Sequence, residues 1–251
     1  YFVGPSQYSL YLEDIKFFLT VPDVSVRENL EFPEIVNNSE FLRKDYIFHK
    51  SLPRALGIIT NSEIIKERIS FFYKILKDRI FIINHKPSIA IEEFEKIDLK
   101  LQNFVRDNFK LPKDFIFYPA MYLPHKNHKT LIEALEILKK DNVNQNLKLV
   151  CCGNDIGYLE NLKIFLKKLG LEKEIIFLDF VKDEYLPYLY LDSSMLIMPS
   201  LIGPTNIPPW EAFKMKKPVI YSDLKGISDV LGNSVHYVDP LNAQEIASSI
   251  N

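Results

Sequence analysis

The chain has 251 residues, 47% hydrophobic and 25% charged, a composition typical of globular proteins. Its formal net charge of -2 argues against a nucleic-acid partner, because a phosphate backbone requires a basic surface. Cys151 and Cys152 are neighbours and would point to opposite faces of a strand, so the sequence predicts neither a disulfide framework nor a metal site. No stretch resembles a signal peptide or a membrane span, and we expect a cytoplasmic protein.

The first third of the chain alternates between apolar strands and amphipathic helices. Ser39 is positioned to cap the first helix, which should stop or restart near Pro53. Asn61-Ser62 is positioned to cap the second helix. The predicted strands cover 15–21, 57–60 and 79–83, and the predicted helices cover 40–56 and 63–76.

A charged segment then separates two blocks of alternating elements. We predict an amino-terminal domain at 1–86, a linker at 87–112 with one helix at 99–109, and a carboxy-terminal domain at 113–251. Strands separated by helices form parallel sheets with right-handed crossovers, so we expect two α/β domains facing a cleft. In the second block, strands are predicted at 115–118, 147–152, 175–178, 195–198, 218–221 and 235–238, and helices at 128–140, 158–169, 183–191, 209–216, 227–231 and 243–250.

The loop after strand 195–198 has the features of a ligand-binding edge. It contains Gly203-Pro204-Thr205-Asn206, and prolines then open a helix with Glu211 in its first turn. In a parallel sheet, ligands bind beyond the carboxyl ends of the strands.

A second candidate site follows strand 115–118. Lys126 lies just before the helix at 128–140, and a lysine beside a helix N-terminus suits a phosphate group. The alternative is that Asn127 caps the helix and Lys126 is merely solvated.

Other motifs are weaker. Gly153 follows strand 147–152, where a simple tight turn is the alternative to a ligand contact. Asp23 follows the first strand. Neither a G-x-G-x-x-G nor a P-loop pattern is present, which disfavours a dehydrogenase, and the isolated histidines predict no zinc site.

Several segments together resemble a known family. The segments YPAMYLPHKNHKTLIEAL, LVCCGND, IIFLDFVKDEYLPYLY, LIMPSLIGPTNIPPWEAF, KPVIYSD and GNSVHYVDPLNAQEIASSI are similar, in order and spacing, to the carboxy-terminal domain of retaining glycosyltransferases of family 4. LTVPDV, FPE and GIITNSE resemble the end of that family's amino-terminal domain. The resemblance implies a GT-B fold with two Rossmann-like domains; we expect the first to be truncated and the last helices of the second to be missing.

The resemblance also implies a role for each candidate residue. Asp23, Lys126 and Glu211 would be catalytic, with Lys126 on the donor diphosphate and Glu211 on the ribose hydroxyls. Backbone around Phe180-Val181 would lie against the base. Backbone N–H groups of the loop would lie near the donor phosphate and sugar. The donor-binding set is Met121, Lys126, Gly153, Phe180, Val181, Gly203, Pro204, Thr205, Asn206, Ile207 and Glu211.

Three positions depart from the family pattern. Met121 stands where the family usually has an arginine, Gly203 where it has a glutamate, and Pro22 where it often has a histidine. Loss of the arginine removes a bidentate phosphate contact that lysine cannot reproduce.

The resulting hypothesis is an enzyme of polysaccharide biosynthesis. It would transfer a sugar, with retention, from a UDP- or GDP-sugar to a glycan or lipid-linked acceptor, with no metal or other cofactor and with peripheral contact with the inner face of a membrane. One alternative is a GT-B module that binds the nucleotide sugar without turnover. Another is a sugar-nucleotide epimerase, which would need an acid/base pair that the sequence does not reveal.

Overall fold

The computed structural model describes the chain except residues 5, 13, 37–39, 144–145 and 204–205, together with the side chain of residue 40. The described residues form two compact units. The first unit comprises Tyr1–His85, Ile202–Thr205 and Lys225–Val230, and the second comprises Lys86–Leu201, Asn206–Leu224 and Leu231–Asn251. The predicted domain boundaries remain a prediction.

The first unit contains a parallel sheet with its strands in chain order. In the described residues the strands are β1 (Phe2–Val3), β2 (Phe18–Thr20), β3 (Gly57–Thr60) and β4 (Ile80–Ile82), and the helices are α1 (Pro33–Val36), α2 (Glu40–Ser51) and α3 (Glu63–Tyr73). Leu19 pairs in register with Ile58, and both side chains are fully buried. This apolar pair lies in the core of the unit.

The second unit contains a six-stranded parallel sheet in the described residues, in the order β10-β9-β8-β5-β6-β7. These strands are β5 (Phe115–Pro119), β6 (Lys148–Cys152), β7 (Ile175–Leu178), β8 (Met195–Met198), β9 (Val219–Ser222) and β10 (His236–Val238). Counted from β5, the order is 3-2-1-4-5-6, the order of the Rossmann fold. The strand order reverses between β5 and β8, and such a switch point is where ligands bind in open α/β sheets.

The helices in this part of the chain precede, separate or follow these strands, and each buries at least one apolar residue. Their bounds are α4 (Ile89–Glu92), α5 (Leu99–Phe109), α6 (His128–Lys140), α7 (Leu159–Leu169), α8 (Leu186–Asp192), α9 (Pro208–Lys214), α10 (Ser228–Leu231) and α11 (Ala243–Ile250). Asp98 caps α5 by accepting hydrogen bonds from the N–H groups of Lys100 and Leu101 at 2.9 and 3.2 Å. Gly170 ends α7 with φ 65°, the left-handed conformation that glycine adopts without steric cost.

The structure confirms the predicted alternation and corrects several boundaries. The strand predicted at 15–21 is reduced to β2, and α2 stops at Ser51 because Pro53 disfavours helical backbone in the residue before it. Ser62 caps α3 as predicted, whereas Ser39 lies outside the described residues. No hydrophobic pattern predicted β1, α1 or α4, because these elements are too short to show a hydrophobic period. No helix in the described part of the chain is long and apolar enough to cross a membrane.

Candidate functional site

The loop after β5 is fixed by a buried asparagine. Asn127 adopts φ 58°, and its side-chain N–H groups donate to the carbonyls of Pro199 and Pro240 at 2.9 and 2.7 Å. Thr130 donates to its side-chain oxygen at 2.7 Å. Asn127 therefore connects the segments that follow β5, β8 and β10. Asn127 occupies the N-cap position of α6, as the alternative expected, but its side chain accepts no hydrogen bond from a backbone N–H of the helix.

Lys126 is partly exposed beside this connection. The Tyr118 hydroxyl donates to the Lys126 carbonyl at 2.6 Å, which fixes its backbone. The Lys126 ammonium lies 3.5 Å from the side-chain oxygen of Asn206, and the Asn206 amide in turn donates to the hydroxyl of Tyr221. The loops after β5 and β8 thus meet at the switch point, and their two predicted site residues Lys126 and Asn206 are brought together.

His128, at the start of α6, is the most unusual neighbour of this loop. Its imidazole is buried between Tyr118 and Tyr122, with ring centroids 4.7 and 5.3 Å away, and neither ring nitrogen has a hydrogen-bond partner among the described residues. Burial, with smaller contributions from Lys126 and His125, lowers the pKa of His128 to about 3. The ring is therefore neutral at physiological pH.

Glu211 is the fourth residue of α9, which begins at Pro208, and it is only 4% exposed. Its Oε2 accepts a hydrogen bond of 2.8 Å from the Tyr190 hydroxyl, and its Oε1 accepts a longer one of 3.4 Å from the backbone N–H of Ser88. Burial and the Glu211 charge together raise the pKa of Cys152 to about 12. Because the Glu211 side chain is nearly inaccessible to solvent, its hydrogen bonds are screened less than those of an exposed carboxylate.

Gly153 follows β6 at a close approach between two backbone segments. A Cβ at this position would lie 2.3 Å from the carbonyl oxygen of Ala120 and 2.8 Å from the backbone nitrogen of Met121. Only glycine fits without a backbone shift, so the glycine is required by packing beside the Lys126 loop. A donor contact from Gly153 remains a prediction.

Gly203 explains one departure from the family pattern. Its φ of 98° lies in the region that glycine favours, so a glutamate in this conformation would be strained. Pro204 and Thr205, which follow it in the predicted donor loop, lie outside the described residues. Ile207 immediately precedes α9, and its carbonyl accepts the first helical hydrogen bond from Trp210 at 2.9 Å.

The remaining predicted residues are described by their exposure and local hydrogen bonds. The side chains of Met121 and Phe180 are exposed, whereas that of Val181 is buried. Asp23 belongs to the first unit, where its Oδ1 accepts hydrogen bonds from the N–H and the hydroxyl of Ser25. These contacts test none of the roles assigned to the four residues.

Sequence reasoning missed Tyr190, Ser88 and Tyr221, which contact the predicted residues. Tyr190 lies 21 positions before Glu211 and Ser88 lies 123 positions before it, so no local pattern indicated these contacts. Within the described residues, no group of three or more His, Cys, Asp or Glu side chains could hold a metal ion. The expectation of metal-free chemistry stays a prediction.

Comparisons with known proteins identify related sequences. Residues 100–251 match the family model described as "Glycosyl transferases group 1". The O-antigen chain mannosyltransferase RfbU of Salmonella typhimurium is 28% identical over 213 residues, which cover 84% of this chain and 55% of that protein. The serotype-specific mannosyltransferase WbdA of Escherichia coli is 26% identical over 211 residues, which cover 83% of this chain and 24% of that protein. The chain thus spans about half the length of the first and about a quarter of the second.

Solved structures show the same fold. Anabaena Alr3699/HepE in complex with UDP-glucose aligns with a TM-score of 0.72 at 19% identity, covering 94% of this chain and 62% of that one. WaaG, a glycosyltransferase involved in lipopolysaccharide biosynthesis, aligns with a TM-score of 0.74 at 15% identity, covering 93% of this chain and 64% of that one. These likenesses confirm the predicted α/β fold of GT-B type with two Rossmann-like bodies.

Proposed function

Because the chain belongs to the glycosyl transferases of group 1, we propose that it is part of a retaining family 4 enzyme that transfers a sugar from a nucleotide diphosphate to a glycan or lipid-linked acceptor. One observation supports this most directly. Lys126 and Asn206, from the loops after β5 and β8, meet where the strand order of the second sheet reverses. The names of RfbU and WbdA make mannose the first donor sugar to test.

The proposed chemistry assigns charge neutralisation to Lys126. Glycosyl transfer breaks the bond between sugar C1 and a diphosphate oxygen, and the diphosphate gains negative charge as it leaves. A lysine ammonium stabilises that charge without a metal ion. We assign the ribose hydroxyls to Glu211, the base to the backbone of Phe180 and Val181, and the sugar and donor phosphate to residues 203–207. We also assign a catalytic role to Asp23, which belongs to the first unit.

The second candidate is a module that binds nucleotide without turnover. Met121 and Gly203 replace two polar residues of the family pattern, and Gly203 has a backbone conformation that disfavours a glutamate. The epimerase alternative has no such observation in its favour. Release of free sugar or its transfer to an acceptor would distinguish the enzyme from the module.

The test is a binding comparison on two lysine variants of the protein. UDP, GDP, UDP-glucose and GDP-mannose are screened by thermal shift, because a ligand of the folded state raises Tm. Lys126→Ala is expected to weaken binding of the preferred nucleotide about 10- to 150-fold, the effect of losing one charged hydrogen bond worth about 1.5–3 kcal/mol. Lys129→Ala is the matched control, because Lys129 is exposed on α6 and lies 5.2 Å over the Phe165 ring.

Two results would contradict the proposal. The first is the absence of a thermal shift with all four nucleotides in the unmodified protein. The second is equal loss of affinity in Lys126→Ala and Lys129→Ala, which would mean that any positive charge near α6 suffices.

A further inference from the structure

The buried Glu211 carboxylate requires hydrogen-bond donors from the protein. It is 4% exposed, and a buried charge is costly unless hydrogen bonds replace the lost water. Within its unit, the described groups that hydrogen-bond to it are Tyr190 and Ser88, and they hold its two oxygens unequally. The bond from the Tyr190 hydroxyl, at 2.8 Å, has the usual length of an O–H···O hydrogen bond, whereas the bond from the N–H of Ser88, at 3.4 Å, is at the long limit.

The Tyr190 side chain is rigidly placed. It is fully buried on α8, and its ring packs edge-on against Phe117 of β5, with centroids 5.0 Å apart and planes at 90°. Its hydroxyl lies 2.8 Å from Oε2 of Glu211 and 3.4 Å from the carbonyl oxygen of Pro208. Burial and the nearby Glu211 charge raise the pKa of Tyr190 far above its usual value, so the hydroxyl remains a donor.

This arrangement fixes one oxygen of the Glu211 carboxylate and leaves the other oxygen able to accept more hydrogen bonds. An ionised carboxylate can accept about four hydrogen bonds. Tyr190 determines the position of Oε2 and with it the plane of the group. Among the described residues, Oε1 accepts only the 3.4 Å hydrogen bond from the N–H of Ser88, so it is the oxygen with capacity for further bonds from ligand hydroxyls.

We propose that Tyr190 is a positioning residue that orients the Glu211 carboxylate to accept hydrogen bonds from the ribose hydroxyls of a nucleoside diphosphate. This inference rests on the proposed function, which assigns the ribose to Glu211. Tyr190 does not touch the ligand itself. Its removal should therefore weaken recognition of the ribose and leave binding of the diphosphate intact.

The test measures the ribose preference, defined as the factor by which a nucleoside diphosphate binds more tightly than its 2′-deoxy analogue. UDP with 2′-deoxy-UDP, or GDP with 2′-deoxy-GDP, is titrated calorimetrically into the protein and its variants. We expect a preference of about tenfold or more in the unmodified protein, near one in Glu211→Gln, and about threefold or less in Tyr190→Phe. The affinity for inorganic pyrophosphate should stay within about twofold in Tyr190→Phe.

The control is the neighbouring tyrosine of the same helix. The Tyr188 hydroxyl accepts a hydrogen bond of 3.3 Å from the backbone N–H of Asp98. Tyr188→Phe therefore removes the same chemical group, a tyrosine hydroxyl, but one that is bonded to Asp98 and not to Glu211. Its ribose preference should be unchanged. A purely structural role of Tyr190 would weaken binding of ribo- and deoxynucleotides alike and leave the preference unchanged.

A double variant keeps the inference testable if the unpaired carboxylate prevents Tyr190→Phe from folding. In the Glu211→Gln background the buried group is neutral, and adding Tyr190→Phe should change the ribose preference by less than about twofold, because Tyr190 acts through Glu211. A larger change would overturn the inference.

The outcomes separate this inference from the function on which it rests. If Glu211→Gln abolishes the preference and Tyr190→Phe retains it, Glu211 binds ribose but Tyr190 does not position it. If the unmodified protein binds the nucleotides without a ribose preference, or Glu211→Gln retains one, the ribose assignment of Glu211 fails and this inference with it.

Discussion

Gly153→Ala is expected to destabilise the second unit and loosen the Lys126 loop. The added Cβ would lie 2.3 Å from the Ala120 carbonyl oxygen and 2.6 Å from its carbonyl carbon. Both neighbours are backbone atoms, so no side-chain rotation can relieve the clash. Two backbone hydrogen bonds, Ala120 N to Cys152 O at 2.9 Å and Tyr122 N to Asn154 O at 3.1 Å, hold the segments together on either side.

The magnitude follows from these contacts. Overpacking a well-packed region costs about 1–3 kcal/mol, and losing one flanking hydrogen bond adds about 1 kcal/mol, for a total of about 2–4 kcal/mol. For a protein of this size each kcal/mol lowers Tm by about 2–4 °C, so Tm should fall by about 4–16 °C. If Lys126 binds the donor diphosphate as proposed, nucleotide affinity should fall as well, because Lys126 lies on the displaced loop.

Thermal denaturation followed by circular dichroism provides the assay, with Gly4→Ala as control. A Cβ at Gly4 would meet no heavy atom within 4 Å, so its Tm should change by about 1 °C or less. If Gly153→Ala melted at the temperature of Gly4→Ala, the close approach to Ala120 would not be a property of the folded protein and the packing argument would be refuted.

Three further predictions concern buried groups. His128 has its pKa lowered to about 3 by burial, so the unfolded chain takes up a proton that the folded chain cannot. Stability should therefore fall as pH drops from about 6.5 towards 3, by at most about 1.4 kcal/mol per pH unit, and urea unfolding of His128→Phe should show a flatter pH profile. Burial raises the pKa of Cys152 to about 12 and that of Cys151 well above its usual range, so at pH 8 a disulfide reagent should label them only as the chain unfolds; rapid labelling would contradict this. Asp192→Ala should cost about 1.5–3 kcal/mol in urea unfolding, because its nearly buried carboxylate accepts three hydrogen bonds of 2.6–2.7 Å, and an equal effect in the exposed control Asp183→Ala would count against this.

The fold was largely predictable because its signals are local. Apolar runs of four or five residues mark strands such as 115–118 and 195–198, and amphipathic helices such as 128–140 separate them. Parallel pairing follows from that alternation. The strand order does not, because runs such as β5 and β8 are similar in length and apolar character, and only packing decides which strands are neighbours.

The candidate site was partly predictable for a related reason. Lys126 and Glu211 were identified because each lies at the start of a helix that follows a strand, a relation visible along the chain. Their partners were not visible. In the sequence, Tyr190 is indistinguishable from the other apolar residues of α8, and Tyr221 is indistinguishable from the other residues of a buried strand.

Local patterns in the chain were enough to predict the α/β class, the order of most strands and helices, and two loops of the candidate site. The sheet order with its reversal between β5 and β8, the contact of Lys126 with Asn206 and the hydrogen bond from Tyr190 to Glu211 emerge only when the elements pack. The difference lies in separation along the chain. Periodicity and capping act over a few residues, whereas contacts between residues 21 or 80 positions apart form only when strands and helices pack.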